Sequence, residues 1–194
     1  MTGRPPAPAG APGEVRLIGG RWRRSKLPVA QRPGLRPTPD RVRETLFNWL
    51  GQDLTGWRVL DAFAGSGALG FEAASRGATE VVLVERDASL CRSLEASRQR
   101  LGAATIRVAC DDALAWMART RTEGPGSFDL VLLDPPFDAG LGSPAVAAAL
   151  PLLAPGGWLY LEAAEPWPEP PPDLTLHRTL RAGAVHAHLW HRAA

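Results

Sequence analysis

The stretch "VLDAFAGSGALG", residues 59–70, joins a short apolar run to a loop with three glycines at the spacing G-x-G-x-x-G. Apolar residues such as Val59 favour a buried strand, and the alanine-rich segment after Gly70 favours a helix. Gly65 and Gly67 let the backbone come close to a ligand. The stretch therefore predicts a strand–loop–helix unit that binds a nucleotide-like ligand, although the glycine spacing alone is a weak signal.

Two carboxylates indicate the chemistry of this ligand. Asp61 lies four residues before Gly65, where it would repel a pyrophosphate but attract an ammonium group. S-adenosylmethionine carries an ammonium group and a sulfonium, so Asp61 favours it over a dinucleotide. Glu85, at the end of the next apolar run, is placed to accept hydrogen bonds from both ribose hydroxyls of an adenosine. Because nicotinamide enzymes use an acid in the same place, Glu85 alone leaves the choice of cofactor open.

Short apolar strands alternate with helices from Trp57 onward. This alternation predicts a parallel sheet with helices on both faces. The last two strands have no helix between them, which predicts antiparallel neighbours. The predicted fold class is α/β, a doubly wound and mostly parallel sheet with an antiparallel C-terminal end. The predicted strands are "WRVLDAF", "VVLVE", "IRVAC", "FDLVLLD", "WLYLEA", "LTLHRTL" and "AVHAHLW", and the predicted helices lie near 67–76, 88–101, 113–120 and 144–153.

The fourth strand ends in "DPPF", residues 134–137. If this strand lies beside the first, Asp134 points into the same crevice as the glycine loop. The two prolines fix their own backbone angles and remove two amide donors. A rigid rim of acceptors remains, formed by the Asp134 carboxylate and the Pro135 carbonyl. Such a rim suits a planar exocyclic amine, and Phe137 is placed to stack on the ring that carries it.

Charge is distributed unevenly along the chain, although the formal net charge is only +2. Residues 1–50 hold ten Arg and Lys against three Asp and Glu, and the remainder is mildly acidic. A basic arm attracts phosphate backbones of any sequence, but a solvated arginine-rich surface explains the composition equally well. Within the arm, "EVRLIGGRWRRSKLPV" predicts a small hairpin with arginines at its bend, and "TPDRVRETLFNWL" predicts a helix capped by Thr38.

The remaining features exclude several classes of protein. The start of the chain lacks the apolar segment of a secretory signal, and no later apolar run is long enough to span a membrane. Cys91 and Cys110 make neither a disulfide framework nor a metal set and are expected to be small buried apolar residues. His186 and His188 share a strand face that His191 does not, which argues against a metal site. We expect a cytoplasmic protein that uses no metal.

Four segments together resemble one family. They are "VRLIGGRWRRSKLPV", "GLRPTPDRVRETLFNWL", "LDAFAGSGALGFEAASRGA" and "DPPF", and they are similar to the bacterial 16S rRNA guanine-N2 methyltransferases of the RsmD type. The resemblance runs from about Val15 to Phe137 and is weaker beyond. It implies a monomeric class I, Rossmann-like methyltransferase that uses S-adenosylmethionine. Its substrate would be the exocyclic amine of one guanine in 16S rRNA, either free or within the small ribosomal subunit.

The resemblance also implies an organisation of the chain and roles for single residues. A disordered tail over 1–13 and an RNA-facing basic hairpin and helix over 14–52 would precede a methyltransferase domain over 53–194. Asp134, Pro135, Pro136 and Phe137 would form the catalytic set. The residues implied at the cofactor are Asp61, Phe63, Gly65, Gly67, Glu85, Asp112, Ala113 and Thr38. Those implied at the RNA are Arg21, Arg23, Arg24, Lys26 and Arg36, while Arg43 matches the N-terminal signature without a defined role.

Several alternatives fit parts of the same sequence. Helix capping explains Asp111 and Asp112 as well as ligand contact does. A DNA adenine-N6 methyltransferase would share the D-P-P-F rim and the cofactor loop, although the chain shows no separate region for reading a duplex. A protein glutamine methylase usually has Asn in place of Asp134 and gains nothing from a basic arm. A nucleotide- or RNA-binding module without activity leaves the complete rim unexplained.

Overall fold

The computed structural model describes residues 13–30, 39–123 and 126–194. In these ranges a small two-stranded hairpin precedes a seven-stranded sheet. The strands are β1 Gly13–Arg16, β2 Lys26–Val29, β3 Arg58–Asp61, β4 Glu80–Glu85, β5 Ile106–Cys110, β6 Phe128–Leu133, β7 Leu153–Ala163, β8 Leu174–Ala182 and β9 Val185–Arg192. The helices are α1 Asp40–Trp49, α2 Ala68–Ser75, α3 Ala88–Leu101, α4 Ala113–Glu123 and α5 Gly142–Ala149, with short 3₁₀ turns at Phe137–Ala139 and Leu150–Leu152.

The large sheet has the order β5-β4-β3-β6-β7-β9-β8. Its first five strands pair in parallel, whereas β9 pairs antiparallel with both β7 and β8. Counted from β3, the parallel part has the order 3-2-1-4-5. The predicted doubly wound α/β fold with an antiparallel end is confirmed. This order places β3 and β6 side by side, so their carboxyl ends open into one crevice.

Some element boundaries differ from those that the sequence predicts. Strand β3 ends at Asp61, two residues earlier than expected, because the glycine loop begins there. Strand β7 starts at Leu153 instead of Trp158, since Leu153 already pairs with Phe128 across a register irregularity in β6. Helix α5 begins at Gly142 and ends at Ala149, and a 3₁₀ turn replaces its predicted last residues.

Two apolar layers cover the faces of the sheet. On one face, the hairpin, α1 and α2 pack against residues such as Val59 and Leu132. On the other face, α4 and α5 pack against residues such as Leu60 and Val131. These residues alternate along their strands because successive side chains point to opposite faces. The predicted arginine hairpin is confirmed, and its apolar side chains belong to the same layer as α2.

A buried ionic network fastens the hairpin to α2. The Glu72 carboxylate is fully buried and accepts hydrogen bonds from the backbone N–H groups of Ile18 and Gly19, at 2.8 and 2.7 Å. It also pairs with Arg76 at 2.8 Å and with Arg43 at 3.5 Å. Arg43 is fully buried, and its guanidinium donates to the Arg16 carbonyl at 2.9 Å. The signature residue Arg43 therefore anchors the arm from within the fold.

Backbone contacts complete this attachment at the far end of α2. The Arg21 N–H donates to the Ser75 carbonyl at 2.7 Å, and the Trp22 N–H donates to the Ser75 hydroxyl at 2.9 Å. Gly20 has a φ of +70°, and a Cβ built on it would lie only 1.8 Å from the Ser75 carbonyl oxygen. Glycine is needed here both for its backbone angle and for this close approach.

The two cysteines contradict the sequence prediction. Cys91 is buried in the first turn of α3, but Cys110 is exposed at the end of β5, and the structure joins the two in a disulfide. Their Cα atoms are 5.8 Å apart. The reason is topological, because β5 lies beside β4, and α3 starts directly above the carboxyl ends of both strands. Residues 19 positions apart in sequence are therefore neighbours in space.

Candidate active site at the carboxyl edge of the sheet

The carboxyl ends of four parallel strands gather the acids singled out from the sequence. Asp61 is the last residue of β3 and Glu85 the last residue of β4. Asp112 follows β5 by two positions, and Asp134 follows β6 directly. Because these strands are parallel and adjacent, all four acids line one edge of the sheet. The structure therefore brings together the acidic residues that the sequence assigned to one site.

Glu85 organises the glycine loop. One oxygen of its carboxylate accepts a hydrogen bond from the Gly65 N–H at 2.9 Å, and the other accepts from the Asp87 N–H at 2.8 Å. Gly67 follows with a φ of 78°, in the left-handed region, and occupies the N-cap position of α2. The carboxylate of Glu85 is half-buried and stands beside the loop that would carry a ligand. Its position fits the ribose contact predicted from the sequence.

Asp61 is a buried acid at this edge with a perturbed pKa. Its side chain is buried, with 2% of the residue exposed, and accepts a hydrogen bond from the Gly70 N–H at 2.9 Å. Burial raises the pKa of Asp61 to about 7, and the negative charges of Glu85 and Glu162 contribute to the rise. A cation beside Asp61 would favour its ionised form and offset the unfavourable burial of the negative charge. The site is therefore electrostatically suited to a positively charged ligand.

Glu162 belongs to the same edge, although no sequence motif singled it out. It lies on β7, is 2% exposed, and accepts a hydrogen bond from the Tyr160 hydroxyl at 2.9 Å. Burial raises the pKa of Tyr160 well above its usual value, with further contributions from the charges of Glu162 and Asp134. The signal in the sequence was a single acid near the end of the otherwise apolar strand "WLYLEA".

The two acids that follow β5 have different partners in the structure. The Asp112 carboxylate accepts a hydrogen bond from the Ala115 N–H at 3.0 Å, in the manner of a helix cap. Asp111 forms an ion pair with Arg119. Ala113 is buried in the apolar layer against which Phe63 packs. Helix capping by Asp112 is thus present, and its contact with a cofactor stays a prediction.

The D-P-P-F segment forms an open rim after β6. Asp134 is half-buried, Pro135 is buried and Pro136 is exposed. Phe137 starts a 3₁₀ turn and is 43% exposed, one of the two large apolar side chains that stand out on the described surface. A rigid acceptor group therefore lies next to an accessible aromatic ring. This arrangement suits a planar ring that carries an amine.

The basic residues of the hairpin form an exposed surface that we call the arginine turn, residues 19–26. Arg21, Arg23 and Arg24 are exposed to solvent, and within the described part of the chain no carboxylate forms an ion pair with them. Lys26 is exposed as well but forms an ion pair with Glu14 at 2.6 Å. Three of the four predicted RNA contacts of this turn therefore present their charge to solvent. The other predicted residues of the arm, Arg36 and Thr38, lie outside the described residues.

The sequence is similar along most of its length to one group of proteins. The family model described as Conserved hypothetical protein 95 matches residues 15–191. The chain is 42% identical over 190 residues to Ribosomal RNA small subunit methyltransferase D of Escherichia coli strain K12, covering 94% of this chain and 92% of that protein. The protein of the same name from Haemophilus influenzae is 38% identical, covering 93% of this chain and 95% of that protein.

The chain belongs to this family, the RsmD type of methyltransferase. A solved structure described as the putative methyltransferase yhhF from Escherichia coli superposes with a TM-score of 0.81 at 42% identity, over 94% of this chain and 99% of that chain. The class I methyltransferase fold implied by the resemblance is therefore confirmed. The family match also extends past Phe137 through the proline-rich loop and β9, where the sequence alone resembled the family only loosely.

Membrane spans and metal clusters are both absent from the described part of the chain. None of its helices is long and apolar enough to cross a membrane. Among the same residues, no group of three or more His, Cys, Asp and Glu side chains is arranged to hold a metal ion.

Proposed function

We propose that this protein is an S-adenosylmethionine-dependent methyltransferase that modifies the exocyclic N2 amine of a guanine in small-subunit rRNA. The observation that carries the proposal is the adjacency of β3 and β6, which sets the D-P-P-F rim beside the glycine loop. Donor and acceptor of the methyl group would thus meet in one crevice. The names of the relatives in the RsmD family support rRNA as the substrate.

The residues at the glycine loop fit S-adenosylmethionine. Asp61 is a buried acid with a raised pKa, and the ammonium group of the ligand would lower that pKa by stabilising the carboxylate. The half-buried Glu85 carboxylate is placed for the ribose hydroxyls, and Gly65 and Gly67 leave the backbone bare for close approach. Phe63 and Ala113 supply an apolar wall for the adenine. When bound, this cofactor supplies a methyl group activated by a positively charged sulfur.

Asp134 and Pro135 would orient the amine of the target guanine. The Asp134 carboxylate and the Pro135 carbonyl accept hydrogen bonds from the two N–H groups of the amine. These hydrogen bonds aim the nitrogen lone pair at the methyl group. The amine becomes acidic only as the new C–N bond forms, so Asp134 can take the released proton without being a strong base. Orientation and fixed negative charge therefore provide most of the rate enhancement expected from this chain.

Phe137 and the arginine turn would hold the rest of the substrate. The exposed ring of Phe137 stacks on the guanine and keeps it flat against the rim, as aromatic side chains do for flipped bases. Arg21, Arg23 and Arg24 contact phosphates, which supplies affinity without reading sequence. The RNA is thus bound through its backbone on one side of the site and through one base in the crevice.

The experiment that tests this function is nucleoside analysis of methylated RNA. Small-subunit rRNA from cells lacking the protein is incubated with the purified protein and S-adenosylmethionine, digested, and analysed by mass spectrometry. We expect N2-methylguanosine with the wild-type protein and its loss with Asp134→Ala. Formation of N6-methyladenine in DNA, with no methylated guanosine in the rRNA, would replace this proposal with a DNA adenine methyltransferase of the same fold.

A further inference from the structure

A pocket of about 340 Å³ lies between the proline-rich loop and the outer strands β8 and β9. It is separate from the crevice described above, and none of the acids at the carboxyl edge lines it. Its walls combine aromatic, aliphatic and basic side chains, notably Trp167, Leu176, Arg181, His186, His188 and Trp190.

His188 places a buried hydrogen-bond donor in the wall of this pocket. The residue is 5% exposed, and its Nε2 accepts a hydrogen bond from the Trp167 N–H at 3.1 Å. Burial lowers the pKa of His188, helped by the nearby charge of His186, which favours the neutral ring. A neutral ring that accepts at Nε2 carries its proton on Nδ1. The backbone carbonyls of His186 and Leu161 lie near this ring, but Nδ1 makes no hydrogen bond of normal geometry among the described residues. An imperfectly satisfied polar group is costly when buried.

Flat apolar surfaces surround this donor. The ring of His188 stacks on Trp190, with centroids 5.3 Å apart and planes 8° from parallel, and Trp167 meets Trp190 edge-on at 6.2 Å. Leu176, which also lines the pocket, is 45% exposed. Leu176 and Phe137 are the two large apolar side chains that stand out on the described surface. One of them lies at the rim for the target base, and the other lies at this pocket.

The charge of the pocket points to an anionic ligand. Arg181 is exposed at the pocket and His186 lies beside it, whereas none of the described residues that line the pocket is acidic. An aromatic and aliphatic pocket with a buried donor and a basic rim fits a nucleotide. The base would contact the flat walls, a base carbonyl would accept from His188, and the phosphate would face Arg181.

The pocket is connected to the active site by its position in the sheet. His188 pairs with Leu161 on β7, and Leu161 pairs with Leu133, the residue before Asp134. With strands about 4.8 Å apart, the backbone of His188 is therefore about 10 Å from that of Leu133. On the same side, a Cβ built on Gly142, five residues after Phe137, would lie 3.2 Å from the Trp167 ring. The segment that carries the rim thus reaches the wall of the pocket.

We propose that this pocket binds one nucleotide of the RNA near the target guanine and so positions the strand for methyl transfer. This inference rests on the proposed function for its biological substrate, but binding to the pocket does not require catalysis. The base would lie against Trp167 and Leu176, with the Nδ1–H of His188 and the guanidinium of Arg181 as its polar contacts. The pocket would contribute affinity and register, whereas Asp134 acts on the reacting amine.

Kinetics with a matched pair of variants tests the positioning role. Leu176 pairs with Trp190 and Thr175 pairs with His191, so these neighbours lie on opposite faces of β8, and both are exposed. Leu176→Glu should raise KM for rRNA about tenfold, within the range expected for one stacked base, and change kcat less than twofold. Thr175→Glu should leave both constants near wild type. Arg181→Gln should raise KM in the same way, with Arg178→Gln as its control.

Photo-crosslinking separates failure of this inference from failure of the proposed function. Small-subunit rRNA carrying 4-thiouridine is crosslinked to the full chain, and the attached peptides are identified by mass spectrometry. We expect a nucleotide on the peptides that contain Trp167 or Leu176, even with the inactive Asp134→Ala variant. Normal KM in Leu176→Glu together with no crosslink there would overturn the pocket assignment. With a photoreactive amino acid at position 176 and assembled particles, crosslinks to a ribosomal protein and not to RNA would overturn it in favour of a protein partner.

Discussion

The two sides of the crevice are built in opposite ways. On the side of the glycine loop, the acids are already engaged by the protein itself, since Asp61 accepts from Gly70 and Glu85 accepts from Gly65. On the side of the D-P-P-F rim, Asp134 is half-buried, Pro136 is exposed and Phe137 presents nearly half of its surface to solvent. The first side is held by internal hydrogen bonds, and the second exposes an aromatic ring to solvent.

This difference shows how one fold serves a constant and a variable ligand. A small cofactor of fixed shape is best met by a preorganised loop, because little ordering is then needed on binding. A base that must leave its stack needs an accessible surface, and its partner supplies the remaining contacts. Changes on the loop side should therefore alter cofactor affinity, whereas changes on the rim side should alter turnover or RNA binding.

The strongest way to break this division is to remove Asp134. We expect Asp134→Ala to lower kcat about 100-fold or more, because a preorganised group that contacts the reacting amine is removed. Affinity for S-adenosylmethionine, measured by calorimetry, should change little. Asp129→Ala, at the other end of β6, serves as the control and should keep near-normal turnover. Equal kcat in Asp134→Ala and the wild type would remove Asp134 from the reaction.

Glu85 tests the loop side with the next largest effect. Glu85→Ala should weaken binding of S-adenosylmethionine by about 1.5–3 kcal/mol, the cost of removing charge-assisted hydrogen bonds. Glu80→Gln, at the opposite end of the same strand, should bind normally. Since Glu85 also holds the loop, a cofactor analogue without ribose hydroxyls provides a second measurement. The wild type should bind this analogue more weakly than S-adenosylmethionine. Glu85→Ala should bind the analogue and S-adenosylmethionine with similar affinity.

Asp61 predicts a pH dependence of stability in the protein without cofactor. Its pKa is raised from 3.8 to about 7, so between these values the folded state holds a proton that the unfolded state has released. The free energy of unfolding, relative to Asp61→Asn, should therefore fall as the pH rises from 5 through 7, by up to about 1.4 kcal/mol per pH unit. Urea titrations of both proteins at several pH values measure it. Parallel pH profiles would contradict the raised pKa.

The same group should act in the opposite direction on cofactor binding. The ammonium group of S-adenosylmethionine favours ionised Asp61, so affinity should rise with pH up to about 7. Calorimetry in buffers of different ionisation enthalpy should detect proton release on binding near pH 6. Asp61→Asn should bind weakly and release no proton.

The arginine turn should give the smallest effect and sharpen the rim side of the comparison. Replacing Arg21, Arg23 and Arg24 with Gln should weaken RNA binding and flatten its dependence on salt. The slope should fall by about 0.7–0.9 for each phosphate that is no longer neutralised. Arg58→Gln, at an exposed arginine that already pairs with Glu80, is the control, and affinity for S-adenosylmethionine should persist throughout. Unchanged RNA affinity with loss of folding would make the turn a structural element instead.

The parts of the fold that follow local rules could be predicted from the sequence. Apolar runs that alternate with helices predicted the α/β class and its parallel sheet, and the glycine spacing together with Asp61 indicated a candidate cofactor loop. The segment "DPPF" indicated the position of the rim, because two prolines after a buried strand restrict the backbone to few conformations. In each case the residues that determine the feature are close together in sequence, so the local sequence pattern was enough to predict it.

The features that could not be predicted depend on contacts between distant segments. Glu162 joins the site only because β7 lies beside β6, and its role as a partner of Tyr160 has no local signature. Cys91 and Cys110 are paired across two elements of the α/β unit. Arg43 matches the N-terminal signature without a role that the sequence defines, and in the fold its charge is paired with the buried Glu72. Burial decides these roles, and burial is a property of the assembled chain.

Helix α2 separates the glycine loop from the arginine turn by a fixed length. The glycine loop precedes its first residue, Ala68, and the arginine turn is fastened to its last residue, Ser75. Eight residues of helix span about 12 Å, and a helix does not stretch. If the function is as proposed, an RNA is accepted only when its phosphates and its target amine are separated by a matching distance. The distance between these two groups in the RNA would then contribute to substrate selection, independently of base sequence.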